Sequence, residues 1–232
     1  VGTAYNDFWY NRGDQVVPTL RTSLIVDPPD GRIPAVTEMG RQLAAERAEQ
    51  RRLRGPADGP ESRSLAERCI VWPTGGPPMM SSFYNNNYQI TQGPGFVAIY
   101  VEMIHDVRMI PTDGRAHIPS NIRLWMGDPV GHWEGDTLVV ETTNFNDMPA
   151  VGRGASRNLK VVEKFTRTGP ETVLYQFTVT DPSTWEKSWS GEYPLGKMDG
   201  AVYEYACQEA NYGMANILSG ARADERKAAG QK

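Results

Sequence analysis

FVAIYVEMIHDVRMIP, residues 96–111, is the stretch whose alternation decides how the rest of the chain is read. Apolar side chains at every second position mark a half-buried β-strand, because successive strand residues point to opposite faces. The run reads as one long strand or a bent pair. One face carries Val97, Ile99, Val101, Met103, His105, Val107 and Met109, and His105 is its single polar member. That parity predicts that His105 points into the core.

Strand-like runs recur on both sides, at 87–92 before this stretch and at 122–126, 131–134, 137–145, 158–166, 172–180 and 186–193 after it. Turn-forming groups such as Gly93-Pro94-Gly95, Thr112-Asp113-Gly114, Glu134-Gly135-Asp136 and Asp181-Pro182 separate them. Short strands at this spacing predict a mainly β fold, an antiparallel meander closing as a lipocalin-like barrel or a sandwich. Peripheral helices are expected in the N-terminal third and at the C-terminus. The chain accordingly divides into an irregular and helical region packing on the core (1–83), the barrel or sandwich (84–202), and a C-terminal helical segment and tail (203–232). Within the first region, Thr37 caps a helix that runs to about Arg54, where Gly55-Pro56 ends it. A second, short helix is expected near 64–69. The first helix carries Arg41, Arg47, Arg51, Arg52 and Arg54 with a thin apolar stripe, which fits a solvated surface helix or a basic docking face.

The same alternation assigns faces to the later strands. Leu138, Val140, Thr142 and Asn144 share one face; so do Leu159, Val161, Glu163 and Phe165, and Val173, Tyr175, Phe177 and Val179. Trp185, Trp189 and Tyr193 follow, and Tyr88 and Ile90 line up on the earlier strand. The interior is therefore expected to be apolar and aromatic with a few polar groups. A buried carboxylate needs a partner, and His105 is the inward group expected to meet Glu163. A His–Glu pair in an apolar cavity is suitable acid/base equipment, with His105 as acid or base and Glu163 orienting it. Tyr88, Thr142, Asn144, Tyr175 and Trp189 are the expected substrate-binding residues.

Composition removes several classes. A net charge of −4 gives no general electrostatic reason to bind nucleic acid, and no recognition motif is present. No apolar run approaches the roughly 20 residues that span a bilayer. The three histidines, His105, His117 and His132, match no ligand spacing, so neither a metal nor another cofactor is expected. No phosphate loop, dinucleotide fingerprint or nucleophile motif appears. Cys69 and Cys207 lack CxxC spacing; they form one long-range disulfide or two buried thiols. The sequence does not specify an oligomeric state.

The runs NNNYQI (85–90), VEMIHDVR (101–108), GHWEGDTLVVETTNF (131–145) and NYGMANILSGAR (211–222) resemble an uncharacterised family of predicted secreted proteins from soil and environmental bacteria. The resemblance covers nearly the whole chain and implies no activity or catalytic residues. It does imply a longer precursor with an export signal, a secreted or periplasmic location, and hence a Cys69–Cys207 disulfide. The expected function is cofactor-free acid/base chemistry of lyase, isomerase or hydrolase type on a small apolar or aromatic molecule. The alternatives are a secreted binding protein for a hydrophobic ligand, without turnover, and a structural component of the cell surface.

Overall fold

β-Branched and aromatic residues dominate the segments that become strands. In a computed structural model, residues 19–82, 84–147, 154–209 and 211–230 are described; of the region expected over 1–83, residues 1–18 and 83 lie outside them. The strands are β1 (Ile25–Asp27), β2 (Tyr88–Gly93), β3 (Phe96–Val101), β4 (Val107–Pro111), β5 (Asp128–Glu134), β6 (Thr137–Thr143), β7 (Lys160–Gly169), β8 (Thr172–Thr180) and β9 (Trp189–Gly196). Two helices flank them, α1 (Glu38–Leu53) and α2 (Tyr212–Ala228). The Thr37 cap forms as the sequence predicts, its Oγ1 accepting from the Gly40 N–H at 3.0 Å.

All pairings among the named strands are antiparallel, in the orders β1-β9-β8-β7-β6-β5 and β2-β3-β4. The strands do not close into a barrel among the described residues; the expected sandwich-like arrangement is compatible with the two sheets. They adjoin where β4 packs beside β5. Pro194 lies in β9 beyond the short reach of β1, where its missing N–H leaves no ladder bond unmade. Residues 122–126 form no strand and contribute only a bridge from Leu124 to Phe145. Residues 64–69 are turns, not a helix, and helix at the C-terminus begins only at Tyr212.

The largest departure lies in the run that opened the reading. Residues 96–111 form a hairpin, with Ile99 opposite Arg108 and Val97 opposite Ile110. Directly opposed residues of an antiparallel pair share a face. The inward set is thus Val97, Ile99 and Val101 on β3 but Arg108 and Ile110 on β4. A tight turn through Met103–His105 makes the switch, with Ile104 at φ 62° and His105 at φ 48°. Consecutive non-glycine residues in the left-handed region are strained, and burial of Ile104 at 4% exposure holds the turn in place. Past this turn the expected parity inverts: Val107 and Met109 face out, and so does His105.

Beyond that turn the expected faces hold. Inward residues of neighbouring strands form cross-strand rows, one of which runs Trp133, Leu138, Phe165, Tyr175, Tyr193. The next runs Gly131, Val140, Glu163, Phe177, Gly191. Tyr175 packs against Phe165 and Phe177 at ring separations of 5.0 and 5.6 Å, and Trp189 meets Phe177 edge-on at 5.8 Å. Gly191 leaves the space that the Phe177 ring fills: a Cβ there would sit 2.4 Å from Phe177 Cζ. Gly191→Ala should therefore destabilise by about 1–3 kcal/mol through overpacking, read as a lowered denaturation midpoint at unchanged slope.

Cys69 and Cys207 are joined, with Cα atoms 5.7 Å apart. This resolves the choice between bridge and free thiols. Among the described residues no helix is long and apolar enough to cross a membrane.

Candidate functional site

Glu163 is fully buried, and its partner is Arg108, not His105. Arg108 Nη1 donates to Glu163 Oε1 at 2.9 Å, while Nη2 donates to Oε2, giving a two-pronged pair between the small sheet and the large one. Burial alone would push the guanidinium down. The charge and hydrogen bonds of Glu163 outweigh that and hold Arg108 above its ordinary range. Tyr175 Oη donates to Glu163 Oε1 at 2.7 Å, so both carboxylate oxygens are engaged.

Three phenols extend this network into an unusual loop. Residues Thr74 through Met79 are all buried, although loops normally stay at the surface because their backbone groups need partners. Here the tyrosines supply them. The Met79 N–H donates to Tyr175 Oη at 2.9 Å, Tyr193 Oη donates to Met79 O at 2.9 Å, and Tyr88 Oη donates to Thr74 O at 3.0 Å. Desolvation raises all three phenols, Tyr88 to about 12 and Tyr175 and Tyr193 well above the ordinary phenol range, so they remain protonated donors.

Above this foundation the two sheets part in a cleft of about 1000 Å³. Its apolar walls are Leu138 and Phe165 of the large sheet and Ile90, Val97 and Ile99 of the small one, with Tyr88 and Tyr193 between. Trp133 stands at the mouth, 46% exposed. The rim carries Gln92, Asp136, Arg167 and Lys197. Arg167 is tied to the carbonyls of Gly169 and Pro170, and Lys197 lies 3.4 Å from Glu171. The cleft can thus hold an apolar body with polar contacts at its opening.

Of the expected substrate-binding residues, Tyr88 lines the cleft and Tyr175 supports its floor. The other three do not reach it. Thr142 and Trp189 are buried in a row farther down the sheets. Asn144, at φ 58°, donates to the carbonyls of Ile118, Pro119 and Ile122 and so anchors that loop. His105 is exposed, its Nδ1 donating to Tyr205 O at 2.8 Å. The other histidines have separate partners: His117 meets Asp128 at 2.8 Å and His132 meets Glu134 at 3.2 Å. Among the described residues no three His, Cys, Asp or Glu side chains group as metal ligands.

Sequence reasoning missed Arg108, Trp133 and the buried loop. Arg108 had a signal: a buried carboxylate is matched better by a bidentate, permanently charged guanidinium than by a neutral imidazole. Compared with known proteins, the chain matches no family model, no curated protein and no solved structure.

Beside the strained turn, Asp106 has Oδ2 buried without a hydrogen-bond partner. Desolvation raises its carboxyl from 3.8 to about 6, against the smaller opposing effect of His105. The native state therefore binds this proton more tightly than the unfolded chain does. The resulting stability is fully present below about pH 4 and is lost as pH rises toward about 6. At pH 7 the ionised group is a liability. Asp106→Asn should stabilise the protein there by about 1–2 kcal/mol, a value reduced because the group is partly solvated. Denaturation series at pH 4 and 7 check this, with the gain expected only at the higher pH.

Proposed function

We propose that this chain is a secreted protein that binds a small, largely apolar or aromatic molecule in the cleft between its sheets, without turning it over. The carrying observation is a cleft with an aromatic row along its wall and, among the described residues, no free acid/base pair at its floor, since Arg108 and Tyr175 engage both oxygens of Glu163. The exposed position of His105 removes the pair on which the enzymatic expectation rested. The disulfide supports an oxidising, extracytoplasmic setting.

Titration with the neutral fluorescent probe N-phenyl-1-naphthylamine tests the reading. Saturable one-to-one binding is expected, weakened about tenfold in Trp133→Ala, which removes a rim aromatic at little cost to the core. Absence of saturation, or equal affinity in the variant, would sink the proposal.

A further inference from the structure

A second concavity shares no lining residue with the cleft. It is about 1150 Å³ and runs between α1 and the segment that follows it, near residues 56–68. Met39, Leu43, Arg47, Gln50, Arg51 and Arg54 all line it, a spacing that places one face of α1 over the groove along the length of the helix. That face is not packed into the core, for Gly40 is the only buried residue of α1. The helix is held instead by its Thr37 cap and by Arg47, which donates to the carbonyls of Ala155 and Asp147.

Six arginines line the groove against three carboxylates, in a chain whose net charge is −4. Arg63 is paired with Glu67, and Arg157 lies 3.6 Å from Asp147. The side chains of Arg51, Arg54 and Arg68 make no ion pair or hydrogen bond among the described residues. Burial pushes Arg47 below its ordinary range, and the like charge of Arg51 adds to this against the pull of Asp147. Between the guanidinium groups, Leu43 and Leu65 offer apolar surface, and Gln42, Gln50, Ser64 and Asn158 offer amides and a hydroxyl.

We infer that this groove binds a short acidic oligosaccharide, an oligouronate. Each part of the lining has a counterpart in that chemistry. Guanidinium groups match carboxylates two-pronged, amides and hydroxyls match sugar hydroxyls, and the leucines match the C–H faces of pyranose rings. Arg47 and Arg51 are separated by about 6 Å along the helix, the scale of one sugar unit, and Arg54 follows just past its C-terminal end. A nucleic acid fits less well, because among the described residues the groove presents no aromatic ring on which a base could stack.

Calorimetric titration of the intact protein with trigalacturonate at low salt tests this, with neutral maltotriose as the control. One-to-one binding of the acidic trisaccharide alone is expected. It should weaken at least about tenfold in Arg51→Glu/Arg54→Glu, and by a similar factor between 50 and 200 mM NaCl because salt screens exposed charges. Both arginines are exposed, and a thermal melt matching the parent shows that the variant is folded. Arg68→Ala, on the opposite wall, should weaken binding independently. Failure of trigalacturonate to bind, equal binding of maltotriose, or undiminished affinity in the charge-reversed variant would overturn the assignment. Displacement of the trisaccharide by inorganic phosphate at comparable concentration would also overturn it, reducing the arginines to a generic anion site.

Discussion

Arg108→Ala should destabilise the protein by about 3–5 kcal/mol, a large fraction of a domain's total stability. The Arg108 and Glu163 side chains are 2% and 0% exposed. Removing the guanidinium leaves a carboxylate in the core with only the Tyr175 hydroxyl to compensate it. Glu163→Ala should be comparably damaging, because it strands the guanidinium instead. Arg108→Met/Glu163→Leu should recover most of the loss, since a well-packed apolar pair escapes the desolvation of both ions. Urea denaturation of Arg108→Met, Glu163→Leu and the double closes a double-mutant cycle that separates these terms. A double variant as unstable as the sum of those two singles would show that Arg108 and Glu163 are not energetically coupled and would overturn this account. The recovered protein should still bind the cleft probe less well, because the pair links the two sheets under the cleft floor.

The second large effect concerns the covalent link. Cys69 and Cys207 are 138 residues apart in sequence, so their bridge removes much of the freedom of the unfolded chain. In the chain-entropy description a loop of that length is worth about 4–5 kcal/mol. Cys69→Ser/Cys207→Ser should lose stability on that scale, chiefly as a lowered denaturation midpoint. The denaturant slope should also rise, because the unbridged chain exposes more surface when unfolded. Reduction of the parent protein should reproduce both changes. A stability within about 1 kcal/mol of the parent's would mean that the loop stays compact when unfolded.

Much of the large sheet was legible in the sequence because local and global signals agree there. Residues 137–145, 158–166 and 172–180 alternate cleanly between recognisable turns, and their inward faces, including Glu163 and Tyr175, are as read. The hairpin at 96–111 was not legible in the same way. No glycine, proline or Asn-Gly pair marks the turn at Met103–His105, so the alternation ran on through it and delivered the wrong partner for Glu163. A register inverted at one turn moves every later side chain of the same run to the opposite face, which is why His105 and Arg108 exchanged roles. Thr142, Asn144 and Trp189 show a different limit. Alternation gives the side of the sheet but not the position along it, so residues facing inward need not reach the open end. The buried loop at Thr74–Met79 lay beyond pattern reading altogether, since its polar backbone is satisfied by tyrosines distant in sequence.

The Cys69–Cys207 bridge has a mechanical meaning as well. Strands β2 to β9 all lie between the two cysteines, while β1, α1 and α2 lie outside. Tension applied to the segments outside the bridge passes through the sulfur–sulfur bond and loads only the short β1–β9 ladder, sparing those among β2 to β9. The outer helices would peel away first under such a pull. The cleft and its ion-paired floor would keep their shape, shielded from force until the bond is reduced.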